Sequence, residues 1–435
     1  MNAPTPALLA IDPLALRDPA VREAALMAAL PAQVRAAQAV PALAATLAGI
    51  DAASINSREA LARVPVTHKQ QLFERQQAAR AAGEADPFGG YSAIGWRATG
   101  IAAGTAGALR RARRVYQSPG PIYEPEGHAA DYWRTARAMQ AAGFEAGDLV
   151  HNSFSYHLTP GAWIMESGAL ALGCSVFPGG TGQTEQQLQA MQHLRPDAYA
   201  GTPSFLRILL EKAAELGLAL PHLKKALVSG EAFPPSLRDW LAERGIAGYQ
   251  AYATADVGVI AFETSAREGL VVDEGVLVEI VRPGTGDPLP DGEVGEVVVT
   301  VFTPDYPMLR FGTGDLSAML PGACPTGRSN RRIKGWMGRA DQTAKVRGMF
   351  VHPAQVAEVL KRHPELGRGR LVVAGEMAAD TLTLRVEART RPAGLADAVA
   401  LSVRDLTKLR ADIELVEPGS LPNDGKVIED ARSYR

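Results

Sequence analysis

The chain has almost no cysteine. Cys174 and Cys324 are the only two in 435 residues, too few for a disulfide framework or a four-cysteine zinc site, and they fit a reducing compartment. Net charge is nearly absent as well. Forty-five basic residues against 47 acidic ones leave −2, which gives neither nucleic acid nor an anionic membrane an electrostatic reason to bind. No run approaches the roughly 18 apolar residues of a membrane span. The start, Met-Asn-Ala-Pro-Thr-Pro-Ala, lacks the basic region and long apolar stretch of a secretory signal. Internal repeats and long low-complexity linkers are missing too. These gaps predict a cytoplasmic protein. What remains, 46% hydrophobic and 21% charged residues, is the composition of a globular chain long enough for two or three domains.

Apolar spacing organises the chain. Residues 20–49 and 58–80 carry helical periodicity, and Asn56-Ser57-Arg58-Glu59 reads as a helix start in which Asn or Ser caps and Glu59 sits in the positive first turn. From about 128 to 335, helical stretches at 130–142, 161–172, 183–193 and 204–216 alternate with short apolar runs. Those runs, at 148–152, 174–178, 198–202 and 225–229, predict parallel strands joined by crossover helices. Beyond 270 the valine-rich runs 276–282 and 294–302 flank a Pro/Gly turn, which predicts an antiparallel pair. The last unit should hold helices at 353–363 and 393–409 with strands at 370–375, 382–389 and 412–416. The expected fold is α/β. A large N-terminal domain (1–337) has mostly parallel, helix-covered sheets plus an antiparallel β subdomain, and a small, mobile α+β domain (338–435) follows.

Three motifs stand close together. In Arg310-Phe-Gly-Thr-Gly-Asp315 the glycines around Thr313 permit a tight turn, from which Asp315 points outward as a pure acceptor able to bind both hydroxyls of a ribose. The bland reading is a hairpin aspartate capping its own turn. Gly338-Arg339-Ala340-Asp341-Gln342 and Val346-Arg347-Gly348 follow; the first, taken alone, is a surface turn. Near the end stands Leu421-Pro-Asn-Asp-Gly-Lys426, an isolated Gly-Lys pair that usually marks a solvated loop.

The order and spacing of these motifs resemble the adenylate-forming (acyl-CoA synthetase-like) superfamily, and within it the phenylacetate–CoA ligase family, over residues 58–430. The resemblance implies ATP, Mg²⁺ and coenzyme A. It assigns Asp315 to the ribose and Asp341 to the hinge. Arg339 goes to phosphate or to the other domain, Arg347 and Gly348 to a loop at the pantetheine tunnel, and Lys426 to the attacking carboxylate and α-phosphate. Leu61–Lys69 resembles the family's opening region, with its Thr-Lys pair. Within Gly248–Gly258, Tyr252 would pack on adenine and Thr254 would bond phosphate. Asp256 would take the place of a metal-holding glutamate, one methylene shorter. Ser229-Gly230-Glu231 resembles a turn beside the adenine. Phe154, Tyr156 and His157 fall where the family has its acyl site, with Thr202-Pro203 on the next strand end; the competing reading makes such aromatics core filler.

The chain departs from the family at the phosphate loop. In Ala102–Leu109 the residues Gly104, Thr105 and Gly107 persist, and their amides can form an anion nest. Three hydroxyls and a lysine of the family pattern are absent, each lost charge-assisted bond being worth about 1.5–3 kcal/mol. The run Arg110–Arg114 either offsets that loss or solvates a loop. Gly312 replaces an arginine, Ala255 a hydroxyl residue, and Gln342 an acidic residue. The expected activity is ATP-dependent conversion of an aromatic carboxylate to an acyl-adenylate and then a CoA thioester. Two alternatives stay open: transfer to an amine or a carrier protein, and a degenerate homologue that binds acyl-adenylate or aryl ligand without turnover. A homodimer is kept as a possible assembly, with no nucleic-acid or membrane partner.

Overall fold

The computed structural model describes residues 12–96, 111–337, 339–340, 344–347, 349–351, 353–375, 380–422 and 426–432. Contacts divide the chain into two units, Met1–Gly338 and Arg339–Arg435. Among the described residues no helix is long and apolar enough to cross a membrane.

The first unit opens with the helix Pro19–Gln38. Asp18 caps it by accepting from the amides of Ala20 and Val21, and Pro19 occupies the first turn, where a missing N–H costs nothing. The periodic stretch from residue 20 is not one helix. It stops at Ala39, and Pro41 starts a separate turn, Pro41–Ala44, whereas Pro31 is accommodated inside the longer helix. At the next start Ser57 provides the cap, its hydroxyl accepting from Ala60 N at 3.1 Å. A helix expected over 130–142 is confined to Ala136–Ala141. Asp131 and Arg134 lie in the left-handed region, and the Asp131 carboxylate takes the amides of Thr135 and Ala136, so the chain is locked into a loop.

Strands β1 (Thr67–His68), β2 (Arg114–Ser118), β3 (Ile122–Glu126), β4 (Leu149–Asn152), β5 (Ser175–Pro178), β6 (Ala198–Gly201) and β7 (Lys225–Val228) come first. They are followed by β8 (Ala247–Thr254), β9 (Gly258–Glu263), β10 (Leu270–Val272), β11 (Val276–Val281), β12 (Val294–Val301), β13 (Phe311–Leu320) and β14 (Arg332–Ile333). One large sheet runs β11-β12-β13-β14-β10-β9-β8-β7-β6-β4-β5, with β1 beside β13, and β2–β3 form a separate hairpin. The half from β8 to β5 is parallel. Its crossovers are the helices Gly161–Leu172, Thr184–Leu194, Pro203–Glu215 and Pro235–Ala242. Gly173 ends the first of these in the left-handed conformation, and Thr202 caps the third ahead of Pro203. The valine runs pair antiparallel, Val276 opposite Val301, and all six residues of β11 are buried. Burial on both faces explains why those runs show no alternation.

In the second unit β15 (Ala344–Val346) and β16 (Met349–Val351) make a hairpin, and β17 (Leu366–Ala374), β18 (Thr381–Ala388), β19 (Asp412–Val416) and β20 (Ile428–Asp430) form a sheet ordered β19-β18-β17-β20. The helices Pro353–Arg362 and Leu395–Thr407 pack on it around Val359, Leu371, Leu384 and Val399. This is the α+β unit the periodicity predicts. The three-residue β20 carries too little pattern to be read in advance.

Candidate functional site

Because β4, β6, β7 and β8 run parallel, their carboxyl ends lie along one edge of the sheet, where ligands of open α/β sheets bind. The sequence-marked residues gather there in groups. After β7 come Ser229, whose amide bonds Gly201 O at 3.2 Å, and Gly230 in the left-handed region at φ 82°. Glu231 accepts from Ser204 Oγ at 2.5 Å, and Ser204 in turn meets Thr202 Oγ1 at 3.3 Å. The turn after β7 is thus tied to the start of the neighbouring helix.

The second group centres on Asp315. It does not stand on a tight turn pointing outward. It lies inside the ten-residue β13, where the register against β12 slips between Glu296 and Val298. Gly314, at φ 72°, supplies the bulge. Asp315 is only 7% exposed. Tyr252 Oη donates to its Oδ2 at 2.8 Å and Trp336 Nε1 to its Oδ1 at 3.1 Å. Tyr252 also reaches Thr313 Oγ1 at 3.1 Å. Asp315 is thus a carboxylate fixed by two ring donors from different strands and loops. The sequence pointed to Tyr252 and Asp315 but gave no reason to join them, and Trp336 carried no signal at all.

The third group surrounds Asp256, 4% exposed at the turn after β8. Lys69 Nζ stands 3.0 Å from Asp256 Oδ2, 3.1 Å from Ser118 Oγ and 3.7 Å from Glu124 Oε1. Ser118 hydrogen-bonds Glu124. Asp256 Oδ1, Glu124 Oε2 and Tyr306 Oη are buried with no hydrogen-bond partner. Burial, opposed by Lys69 and reinforced by the Asp256 carboxylate, pushes Glu124 up to about 8. Burial, with these two carboxylates, also raises the Tyr306 phenol well above its usual range. No cluster of three metal-ligating side chains exists among the described residues. The fit to Mg²⁺ therefore rests on one atom. Asp256 Oδ2 is neutralised by Lys69, while the orphaned Oδ1 is the acceptor a cation would take, its other ligands coming from phosphate and water. Thr254 Oγ1 accepts the amide of Val257 at 3.3 Å. Lys69 was visible in the sequence only as half of a Thr-Lys pair; Glu124 and Ser118 were not visible at all.

Around the expected acyl pocket, Asn152 Nδ2 donates to Tyr156 Oη at 2.9 Å, and Tyr156 Oη donates to Glu166 Oε2 at 2.8 Å. The Tyr156 ring meets Trp163 edge-on, with centroids 5.0 Å apart. Arg114 lies 4.0 Å over Trp163 and bonds Glu126 at 3.0 and 3.1 Å. That arginine, from the basic run after the phosphate loop, is therefore already engaged. Phe154 packs against the core beside these groups, whereas His157 is exposed.

In the second unit Arg339 is half-buried and Lys426 exposed. Arg347 forms the turn of the β15–β16 hairpin at φ 48°, and its guanidinium bonds Asp380 O at 2.7 Å. Gly104, Thr105, Gly107, Asp341 and Gly348 lie outside the described residues.

The chain is similar to known proteins over most of its length. The family described as AMP-binding enzyme matches residues 128–301. The phenylacetate–coenzyme A ligase of Aromatoleum evansii is 36% identical over 291 residues, which span 63% of this chain and 65% of that enzyme. The phenylacetate–coenzyme A ligase of Escherichia coli K12 is 30% identical over 320 residues, 68% of this chain and 72% of that enzyme. A solved structure of 2-hydroxyisobutyryl-CoA ligase with 2-HIB-AMP and CoA superposes with a TM-score of 0.78 at 26% identity, covering 96% of this chain and 91% of that one. On the shared sequence and the shared fold, the chain belongs to the phenylacetate–CoA ligase family of adenylate-forming enzymes.

Proposed function

We propose that the protein activates an aromatic carboxylic acid with ATP and passes the acyl group to coenzyme A. The observation that carries this reading is Asp315, a buried carboxylate held between Tyr252 and Trp336 beside the carboxyl edge of a parallel sheet. Such a fixed acceptor suits the two hydroxyls of a ribose, with the Tyr252 ring offering an apolar face to the base.

In the first half-reaction a carboxylate oxygen of the acid attacks the α-phosphorus of ATP. The bond to the bridging oxygen breaks, giving acyl-adenylate and pyrophosphate. Lys426, with Arg339, supplies positive charge to the attacking carboxylate and the α-phosphate, where negative charge accumulates. Mg²⁺, when bound, screens the phosphates, and Asp256 Oδ1 is the atom that would hold it. Ser229, Gly230, Glu231 and Thr254 border the nucleotide, and Phe154, Tyr156 and His157 border the acid. In the second half-reaction the CoA thiol attacks the carbonyl carbon, its proton passes to solvent, and AMP leaves. A rotation at Asp341 would exchange Lys426 for the Arg347–Gly348 hairpin between the two steps.

The test is carboxylate-dependent exchange of labelled pyrophosphate into ATP over a panel of aryl acids. Exchange, followed by thioester formation on adding CoA, is the expected result. Absence of exchange across the panel would instead identify a non-turning binder, consistent with the missing hydroxyls and lysine of the 102–109 segment. Exchange without a CoA thioester would point to an amine or carrier-protein acceptor.

A further inference from the structure

In the second unit, the turn between β15 and β16 is fastened by a carboxylate that the proposed chemistry leaves idle. Asp380, immediately before β18, is 8% exposed. Its Oδ2 accepts the backbone amide of Arg347 at 3.3 Å, and its own carbonyl accepts from Arg347 Nη2 at 2.7 Å. Its Oδ1 accepts from Arg432 Nη1 at 3.4 Å, and both side chains of that ion pair are largely buried. Arg432 Nε in turn donates to Asp430 Oδ1 at 2.8 Å. One run of contacts therefore leads from the hairpin turn through Asp380 to the end of β20.

Arg347 stands at φ 48°, a conformation glycine adopts freely and arginine adopts only under strain. A side chain kept there needs surroundings that hold it. Asp380 does so twice, once at the Arg347 amide and once at its guanidinium. The Lys426 side of the unit is held differently. β20 starts two residues after Lys426 and pairs parallel with β17, Leu371 opposite Ile428 and Val373 opposite Asp430. That ladder does not depend on the Asp380 side chain.

We propose that Asp380 is a positioning residue for the thioester step and that Arg432 positions Asp380 in turn, an inference that rests on the CoA-ligase reading. Asp380 acts through the hairpin. It fixes the backbone of the Arg347 turn, so the turn enters the second half-reaction already shaped and need not be ordered there. The two half-reactions then depend on Asp380 unequally. Transfer to CoA uses the turn that Asp380 holds. Adenylation uses Lys426, whose strand is held by its ladder to β17. A carboxylate that only stabilised the unit would show no such split.

Asp380→Ala and Arg432→Gln in the full-length protein test this, with thermal melting as the check on folding. Single-turnover transfer from acyl-adenylate to CoA should slow about tenfold or more in Asp380→Ala, the equivalent of one lost charge-assisted contact. Carboxylate-dependent pyrophosphate exchange should stay at the wild-type rate. Arg432→Gln should slow the same step less, and Arg432→Lys should restore it. Adding Arg432→Gln to Asp380→Ala should slow transfer no further, because Arg432 acts through Asp380. If Asp380→Ala melts early, Asp380→Asn carries the comparison, since it keeps an acceptor for the Arg347 amide and loses only the charge. Hydrogen exchange reads the clamp without any chemistry: the Arg347 amide should exchange faster in Asp380→Ala and the β20 amides should not. Both half-reactions slowing together, or transfer at the wild-type rate, would overturn the positioning role. Unchanged exchange at the turn would overturn the clamp itself. Failure of the underlying reading looks different, because the wild type would then make no CoA thioester, while hydrogen exchange would still decide whether Asp380 holds the turn.

Discussion

Tyr252 on β8 donates its hydroxyl to Asp315 on β13 at 2.8 Å, although β9, β10 and β14 lie between those two strands in the sheet order. The sheet therefore curls enough for strands four places apart to meet through side chains. The phenol fixes the rotation of the Asp315 carboxylate. Tyr252→Phe keeps the ring and deletes the bond. We expect the Kd for ATP, read by calorimetry, to rise about five- to tenfold, with a melting temperature near that of the wild type. Asp315→Asn should weaken ATP further. Unchanged ATP affinity in both variants would remove Asp315 from the nucleotide site.

Lys69 joins two carboxylates that burial makes expensive to keep charged. Its ammonium is 3.0 Å from Asp256 and 3.7 Å from Glu124. Lys69→Met preserves the stem and removes the charge, leaving Asp256 and Glu124 facing each other. The expected loss in denaturant-measured stability is about 1–3 kcal/mol, moderated because the Lys69 side chain is 37% exposed. Lys69→Arg should recover most of it. If Lys69→Met is as stable as the wild type, the ammonium is not what holds this carboxylate pair.

Glu124 gives a pH signature with a definite sign. Burial, together with Asp256 and against the pull of Lys69, raises its folded-state pKa to about 8, whereas an unfolded-chain glutamate titrates near about 4.3. Between those values the folded state holds a proton that the unfolded state has released. Linkage then makes this contribution complete below the unfolded pKa and lost as pH rises through about 8. Glu124→Gln carries a permanent neutral amide in its place. Melting curves from pH 5 to 9 should therefore fall more steeply for the wild type than for Glu124→Gln. Parallel curves would mean that Glu124 is ionised throughout.

Much of this architecture was legible because burial writes itself into residue type. The parallel strands read as short apolar runs and the valine pair β11–β12 as a continuous one, since both their faces are covered. Ser57 announced its helix by capping chemistry. The site was legible only in part. Asp315 and Tyr252 stood in recognisable motifs, but the bulge that carries Asp315 depends on a register slip against β12, and strand pairing has no local code. Glu124 and Trp336 are single residues in unremarkable surroundings. Their roles come from partners 132 and 21 positions away, distances at which sequence pattern is silent. The loop at Asp131–Arg134 was misread as helix because its composition is helical and only backbone sign separates the two.

Arg310 shows how a buried charge can fasten an edge of the site. It is 1% exposed. Its Nε bonds Glu279 Oε2 at 3.0 Å, its Nη1 bonds the carbonyls of Ala62 and Val64 at 2.8 and 2.7 Å, and its Nη2 bonds Gly286 O at 2.7 Å. One guanidinium thus ties β13 to β11, to the segment before β1 and to the loop after β11. Arg310→Ala would strand a buried carboxylate and three carbonyls, and chemical denaturation should show a loss of about 3–5 kcal/mol. Arg310→Met combined with Glu279→Leu removes both charges and should regain part of that loss. A loss under about 1 kcal/mol for Arg310→Ala would show that water replaces the fork.

The motif resemblance implies an arginine at the position of Gly312, and the structure supplies a steric reason for glycine. A Cβ there would fall 2.7 Å from Glu296 Oε1 and 2.7 Å from the His68 ring. Those two side chains form their own pair, His68 Nε2 to Glu296 Oε1 at 3.2 Å, and the same carboxylate oxygen takes the Gly314 amide at 3.1 Å. The bulge that presents Asp315 is thus braced by Glu296, which needs the space Gly312 leaves open. Gly312→Arg should cost about 1–3 kcal/mol through overpacking and weaken ATP binding by loosening the brace. His68→Ala opens the space, so the double variant His68→Ala/Gly312→Arg should recover most of the stability lost by Gly312→Arg alone, a coupling that a double-mutant cycle reads directly. Strict additivity of the two substitutions would show that His68 does not compete for the site, and the explanation for this glycine would fall.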